Sequence, residues 1–208
     1  PLDAPRPARQ SYRGTRLHSQ VGRALLDQLQ QLGQRNGATL FMVMQAAFST
    51  LLSRYSGEQD IVTGFPVANR QQAELEGLIG CFVNTLVSRS DTSSDPTFTD
   101  FLLQTRSDLL AAYAHQQLPF ETLVEHLNPP RSLSHEPVVQ IMLVYLDQSH
   151  AMGGRSSHAD RSDDAPLEQG EMRLPFSKYD LTLYFSVGDD GLALAWEFAT
   201  DLFAPATI

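Results

Sequence analysis

One predicted helix has almost no polar face. Apolar side chains occupy most positions of residues 40–52, directly after Thr39, whose hydroxyl suits a helix N-cap. A helix that is apolar on all sides is covered on all sides, so it belongs in the middle of the protein. We therefore expect the remaining helices and strands to pack around it.

Helical and β-type patterns are interleaved along the rest of the chain. Apolar residues at helical spacing predict helices over residues 19–33, 97–113 and 119–127. Strand patterns occupy residues 12–21, 60–68, 79–89, 138–146, 181–187 and 192–198, and a Gly-Asp-Asp-Gly turn joins the last two. A further helix is expected to begin within residues 201–208. This order predicts an α/β sandwich in which helices cover one face of a mixed sheet.

The segment 79–89 carries a polar pair in the middle of an apolar, strand-favouring run. Asn84 and Thr85 lie between Phe82-Val83 and Leu86-Val87. A buried amide needs hydrogen-bond partners, so this strand either lines a wet passage or is a core strand whose Asn84 pairs with a neighbouring loop. Both interpretations stay open from the residues alone.

Composition excludes several classes of function. The 208 residues carry a net charge of −9, which argues against a nucleic-acid partner. No apolar run approaches the ~20 residues of a membrane span, and the first residues lack the apolar stretch of a signal peptide, so we expect no membrane partner and a cytoplasmic location. The only cysteine, Cys81, lies in the apolar run and is predicted to be buried and structural.

Two segments are expected to lie outside the packed elements. The Pro-rich start predicts an extended arm over residues 1–18, and its arginines (Arg6, Arg9, Arg13 and Arg16) indicate a solvated charge cluster. Residues 147–175 are rich in Gly, Ser and Asp, which predicts a long mobile loop.

No complete catalytic arrangement is present. The chain has no Gly-rich phosphate loop, no Gly-x-Ser-x-Gly elbow, no His-Glu-x-x-His and no paired cysteines, and its six histidines are scattered. We therefore predict no metal site and no catalytic residue within this chain. On its own, the chain is not expected to be a self-sufficient enzyme.

Three runs taken together resemble the condensation domains of nonribosomal peptide synthetases. Residues 79–86 with Arg89 resemble the signature Val/Ile-Gly-x-Phe-Val-Asn-Thr. Residues 115–121 resemble His-Gln-Asp-x-Pro-Phe-Glu, with Gln117 in place of the usual Asp, and residues 131–138 followed by Gln140 resemble the next motif in the same order. Flanking runs at residues 63–70, 178–181 and 198–203 extend the similarity to essentially the whole chain.

The resemblance implies half of a domain. The family's catalytic His-His-x-x-x-Asp-Gly motif lies upstream in an N-terminal lobe, and no His-His pair occurs here. The chain therefore looks like a single C-terminal lobe with a two-layer fold similar to chloramphenicol acetyltransferase, and residues 199–208 resemble the tunnel-floor loop and the start of a truncated helix. In the family, a bridge from this lobe crosses to the N-terminal lobe, and a tunnel runs between the two lobes.

The resemblance also implies roles for individual residues. The tunnel would be lined by Asn84, Thr85, Arg89, Thr200 and Asp201, with Arg89 meeting the phosphate of a carrier arm or forming a surface ion pair. Structural motif positions would be Gly80, Phe82, Arg70, His115, Gln116, Pro119, Phe120, Glu121, Arg131, Ser134 and Pro137.

The implied reaction is attack of an acceptor α-amine on a donor thioester, which favours peptide-bond formation over epimerisation. The implied partners are the N-terminal lobe, donor and acceptor peptidyl carrier proteins and an adenylation domain; phosphopantetheine would be carried by the carrier proteins, with no cofactor bound directly. Two alternatives remain: a non-catalytic module that docks carrier proteins or a neighbouring adenylation domain, and a free-standing acyltransferase, which needs a base that the sequence does not show.

Overall fold

The computed structural model describes residues 1–70, 78–146 and 176–208. The elements within these ranges are, in order, β1 (Gly14–Gly22), α1 (Arg23–Arg35), α2 (Leu40–Ser56), β2 (Asp60–Val67), β3 (Asn84–Asp91), α3 (Phe98–Ala114), α4 (Phe120–Leu127), β4 (Ile141–Tyr145), β5 (Leu181–Gly188) and β6 (Gly191–Ala199). The expected mixed α/β fold is confirmed.

The strands described form one mixed sheet in the order β1-β6-β5-β4-β2-β3. β4 runs parallel to both β5 and β2, and the other neighbours are antiparallel. β1 and β3 are therefore the edges of this sheet, and β3, which carries Asn84 and Thr85, has a strand neighbour on one side only.

Helix α2 lies at the centre of the helical layer, as its apolar pattern predicts. It packs against both α1 and α3 and against the sheet. The Thr39 hydroxyl accepts a hydrogen bond from the Met42 backbone N–H at 3.3 Å and caps the helix, and Gly57 ends it with φ 77°. Val43 and Ala46 on α2 are fully buried.

The helices cover one face of the sheet. On β5, Leu181, Leu183 and Phe185 belong to the buried core, whereas the alternate residues Thr182 and Tyr184 point to the opposite face. We call that opposite surface the open face. Along it many side chains, including Tyr184, are only half-buried.

The hairpin of β5 and β6 turns at Asp189-Asp190, as the sequence predicts. Gly188 and Gly191 are paired across it, and Gly191 has φ 133°. A Cβ at Gly191 would lie 2.2 Å from the backbone oxygen of Val21, so the approach of β1 requires glycine there.

Several predicted boundaries are wrong. The predicted strand at 79–89 begins only at Asn84, and Ile79 before it is fully exposed because the chain ahead of Asn84 is not paired with another strand. The strand predicted at 138–146 is shorter, and the helix predicted from Ser19 starts after β1. Residues 201–208 form turns rather than the start of a helix. The predicted loop 147–175 lies outside the described residues.

No helix among the described residues is both long enough and apolar enough to cross a membrane.

Candidate functional site

The side chain of Asn84 joins the start of β3 to the connection between α3 and α4. Its Nδ2 donates hydrogen bonds to the backbone oxygens of Gln116 at 2.9 Å and Leu118 at 2.7 Å. Its Oδ1 accepts from the backbone N–H groups of Thr85 at 2.9 Å and Phe120 at 3.0 Å. We call Asn84 with residues 115–120 the Asn84 junction.

These bonds use the full hydrogen-bonding capacity of the amide, which offers two donors and two acceptor positions. The bond from Phe120 also serves α4, because its N-cap, Pro119, makes no side-chain capping bond. Asn84 therefore caps α4 from the neighbouring strand. This arrangement corresponds to the interpretation in which Asn84 pairs with a loop.

Thr85 points to the other face of the sheet. Its Cγ2 lies 3.4 Å from where a Cβ on Gly64 would stand, beside Met142 and Val139. Successive residues of a strand face opposite sides, so the polar pair predicted to line one passage is divided between two surfaces. Only Thr85 reaches the open face.

Arg89 forms a surface ion pair. Its Nε and Nη2 contact the Asp60 carboxylate at 2.9 and 2.8 Å, and both side chains are more than half exposed. The hydrogen bonds from Arg89 hold the pKa of Asp60 below its ordinary value. A contact between Arg89 and a carrier phosphate stays a prediction.

Arg70 braces the segment that precedes β3. Its guanidinium donates to the backbone oxygens of Leu78 at 3.0 Å and Gly80 at 3.2 Å, and lies 4.3 Å from the centre of the Phe82 ring. Cys81 between them is exposed, so the prediction of a buried thiol is wrong. The cause is the same as for Ile79: this segment lies outside the sheet.

The motif at 115–121 forms the helix-to-helix connection. His115 is the C-cap of α3, the Gln116 side chain donates to the backbone oxygen of Tyr113 at 3.0 Å, and Pro119 precedes the first residue of α4. Glu121 lies in the first turn of α4, where its charge is favourable.

The N-terminal arm is bound where β5 begins and β6 ends, although Arg9 of the arm stays exposed. Arg6 forms a bidentate ion pair with Asp180, which is only 7% exposed, and also donates to the backbone oxygen of Ser134 at 3.3 Å. The hydrogen bonds that Arg6 donates to Asp180 raise the pKa of Arg6. Sequence reasoning missed this pair because its members are far apart in the chain.

The predicted tunnel-floor residues also hold the arm. The backbone N–H of Thr200 donates to the backbone oxygen of Arg13 at 3.1 Å, and the Asp201 carboxylate accepts from Arg13 Nη2 at 2.8 Å and from the Ser11 hydroxyl. Both residues therefore lie where the arm, the end of β6 and the following turn meet.

The remaining motif residues lie on the loop before β4. The backbone N–H of Ser134 donates to the Ser132 hydroxyl at 3.0 Å, and the backbone oxygen of Pro137 accepts from Val139 at 2.6 Å. Arg131 is exposed and forms no ion pair within the described part of the chain.

The open face carries one ion pair that the sequence did not indicate. Arg16 contacts the Glu197 carboxylate at 2.8 Å, and its guanidinium lies 4.9 Å from the centre of the Tyr184 ring. Glu197 is only 8% exposed, and burial raises the pKa of Tyr184. Arg16 and Glu197 face each other on paired strands, a register that cannot be read from either segment alone.

Across residues 1–70, 78–146 and 176–208, no group of three or more His, Cys, Asp or Glu side chains is placed to hold a metal ion.

The family model for condensation domains matches residues 1–208. The chain belongs to the condensation domain family. Similar curated proteins are one of the linear gramicidin synthase subunits of Brevibacillus parabrevis, 44% identical over 211 residues, and surfactin synthase subunit 1 of Bacillus subtilis (strain 168), 39% identical over 205 residues. They cover 100% and 99% of this chain, which spans only 4% and 6% of their lengths.

Solved structures with the same fold include much larger chains. An X-domain from teicoplanin biosynthesis, determined in complex with OxyB, is 28% identical with a TM-score of 0.84; the similarity covers 100% of this chain and 45% of that chain. A four-domain nonribosomal peptide synthetase bound to AMP and glycine is 27% identical with a TM-score of 0.85, covering 100% of this chain and 16% of that chain.

Proposed function

We propose that these residues are the C-terminal lobe of a condensation domain that forms peptide bonds in nonribosomal peptide synthesis. The observation that carries the proposal is that all of this chain matches only 45% of the X-domain chain. The sequence also holds no His-His pair, as expected if the catalytic motif belongs to another lobe. The lobe alone is expected to be inactive.

In this proposal the lobe orients substrates and the partner lobe handles the proton. The acceptor's α-amine attacks the donor thioester, the C–S bond breaks, the C–N bond forms, and the amine's proton is taken up as the thiolate leaves. Orientation of the two reactants is worth several kcal/mol of the barrier, and it requires a rigid wall. The phosphopantetheine arms of carrier proteins would supply both thioesters.

The open face is the surface that we assign to the partner lobe. None of the described helices covers it, its half-buried residues include Thr85 and Tyr184, and the side chain of Thr85 lies on this side of β3. The Asn84 junction lies on the other side of β3 and holds that strand in place. Asn84 is accordingly a positioning residue in this proposal, and Thr85 is the one that reaches the passage.

Reconstitution tests the proposal. This chain would be mixed with the N-terminal lobe of a condensation domain, a donor-loaded and an acceptor-loaded carrier protein, and dipeptidyl thioester would be measured by mass spectrometry. We expect product from the pair and none from this chain alone. A folded, associated pair that stays inactive with matched carriers contradicts the proposal.

A second function, that of a docking module without catalysis, is favoured by one comparison: the X-domain relative was solved in complex with a separate protein, OxyB. NMR titration with a loaded carrier protein distinguishes the two. Shifts that include Thr85 on the open face support the tunnel role, whereas shifts confined to outer surfaces support docking alone.

A further inference from the structure

Three chain segments meet at the end of the sheet where β6 ends and β5 begins. Gln10 of the arm joins them: its backbone N–H donates to the backbone oxygen of Leu133 at 2.8 Å, and its Nε2 donates to the backbone oxygen of Lys178 at 2.6 Å. The backbone N–H of Ser177 donates to the oxygen of Tyr12 at 2.9 Å. We call the surface formed by residues 9–12, 131–133 and 176–178 the seam.

The seam exposes large apolar side chains. Leu133 is 71% exposed, and Tyr12 and Phe176, which are 42% and 50% exposed, stack with ring centres 5.5 Å apart. Tyr12 has φ 60°, a backbone conformation that an aromatic residue rarely adopts and that here accompanies the stacking. Grouped exposed apolar residues with aromatic side chains are typical of protein interaction sites.

The charge of the seam is opposite to that of the chain. The chain has a net charge of −9, yet the exposed charged residues of the seam are Arg9, Arg131 and Lys178. Within the described ranges, none of the three forms an ion pair. Among the described residues, the seam therefore presents three cations without an ion-pair partner around an apolar centre.

The carboxylates next to the seam do not cancel this charge. Asp180 is paired with Arg6, and Asp201 is paired with Arg13. Both ion pairs bind the arm to the sheet, so neither carboxylate is paired with a cation of the seam.

We propose that the seam is a docking surface for an acidic protein domain that presents an apolar side chain. Charge complementarity is the argument for this occupant, because opposite potentials steer association and fix orientation. The inference rests on the proposed function for its probe, an acidic peptidyl carrier domain. The carrier is used without its phosphopantetheine arm, so that binding reports only on the protein surface.

The experiment is calorimetric titration of this carrier domain into the chain, with the double variant Arg9→Ala/Arg131→Ala. Its matched control is Arg35→Ala/Arg54→Ala, which removes the same charge from the last turns of α1 and α2. We expect the seam variant to bind at least fivefold more weakly with a shallower salt dependence, and the control to bind like the original chain. Leu133→Ala should weaken binding with little change in salt dependence.

Equal melting temperatures of all variants show that folding is intact. The seam proposal is overturned if the carrier does not bind the original chain, or if the seam and control variants bind alike. Its failure is distinguishable from failure of the proposed function. If a reconstituted pair forms the amide but its affinity for the carrier is unchanged in the seam variant, only the seam proposal is contradicted. If the carrier docks at the seam but the pair forms no amide, only the proposed function is contradicted.

Discussion

Replacing Asn84 by Ala tests the strongest claim about the site, that this amide holds the start of β3 to the α3–α4 connection. The change removes four hydrogen bonds and leaves two backbone N–H groups and two backbone oxygens to find other partners. At about 1 kcal/mol each, reduced because water reaches this half-buried position, the loss is about 3 kcal/mol. For a chain of this size that lowers the melting temperature by about 6–12 °C.

The assay is urea and thermal unfolding, combined with hydrogen exchange of the Phe120 amide, which should lose protection. Thr85→Val is the matched control, since Thr85 is adjacent but faces the other side of the sheet, and we expect it to cost less than about 1 kcal/mol. A loss below about 0.5 kcal/mol for Asn84→Ala, with Phe120 still protected, refutes the reasoning.

Asn84→Asp separates the donors from the acceptors of the amide. The carboxylate can still accept from Thr85 and Phe120, but it faces two backbone oxygens, which raises its pKa in the folded state. In this variant the neutral carboxyl stabilises the folded state. That contribution is fully present below the pKa of the carboxyl in the unfolded chain, and it is lost as the pH rises through the higher pKa of the folded state. Between about pH 7 and pH 3, the free energy of unfolding of Asn84→Asp should therefore rise relative to that of Asn84→Ala as the pH falls.

The remaining predictions concern packing and charge. Arg6→Ala leaves Asp180, which is 7% exposed, without its bidentate partner and should lower the free energy of unfolding in urea by about 2–4 kcal/mol. An unchanged free energy of unfolding contradicts the claim that this ion pair binds the arm. Gly64→Ala places a Cβ 2.5 Å from a methionine sulfur and should cost about 1–3 kcal/mol, whereas Gly22→Ala, with no atom within 4 Å, should cost less. The pKa of Asp60 is lowered in the folded state, so its contribution is present above the unfolded pKa and is lost as the pH falls through the folded value; acid unfolding of Asp60→Asn should lack this component.

The sequence predicted the helices, caps and turns of this fold because each of these features depends on residues that are neighbours in the chain. The central position of the largely apolar α2, its Thr39 cap and the hairpin at Asp189-Asp190 are confirmed. The predicted strand boundaries were wrong where an apolar segment has no partner strand. Residues 79–83 are apolar enough for a strand, yet they have no partner strand and, apart from the half-buried Phe82, they lie exposed. This also explains the wrong expectation for Cys81.

The contacts of Asn84 could be predicted only in part from the sequence. Sequence singled out Asn84 as a polar group that needs partners, but whether those partners belong to a loop or a substrate depends on which face of β3 it occupies. That face is set by the pairing of Asn84 with Val67. The arm's ion pair between Arg6 and Asp180 joins residues 174 positions apart, and no local pattern carries such a contact.

The central claim is that this chain supplies one wall of a passage while another lobe supplies the proton-handling histidine. The most direct measurement is single-turnover formation of dipeptidyl thioester by this chain paired with an N-terminal lobe, compared with the same pair in which the second histidine of the partner's His-His motif is replaced by alanine. The account predicts product from the first pair, none from the second, and none from this chain alone. Product formed by this chain without a partner lobe, or at an unchanged rate with the altered lobe, contradicts it.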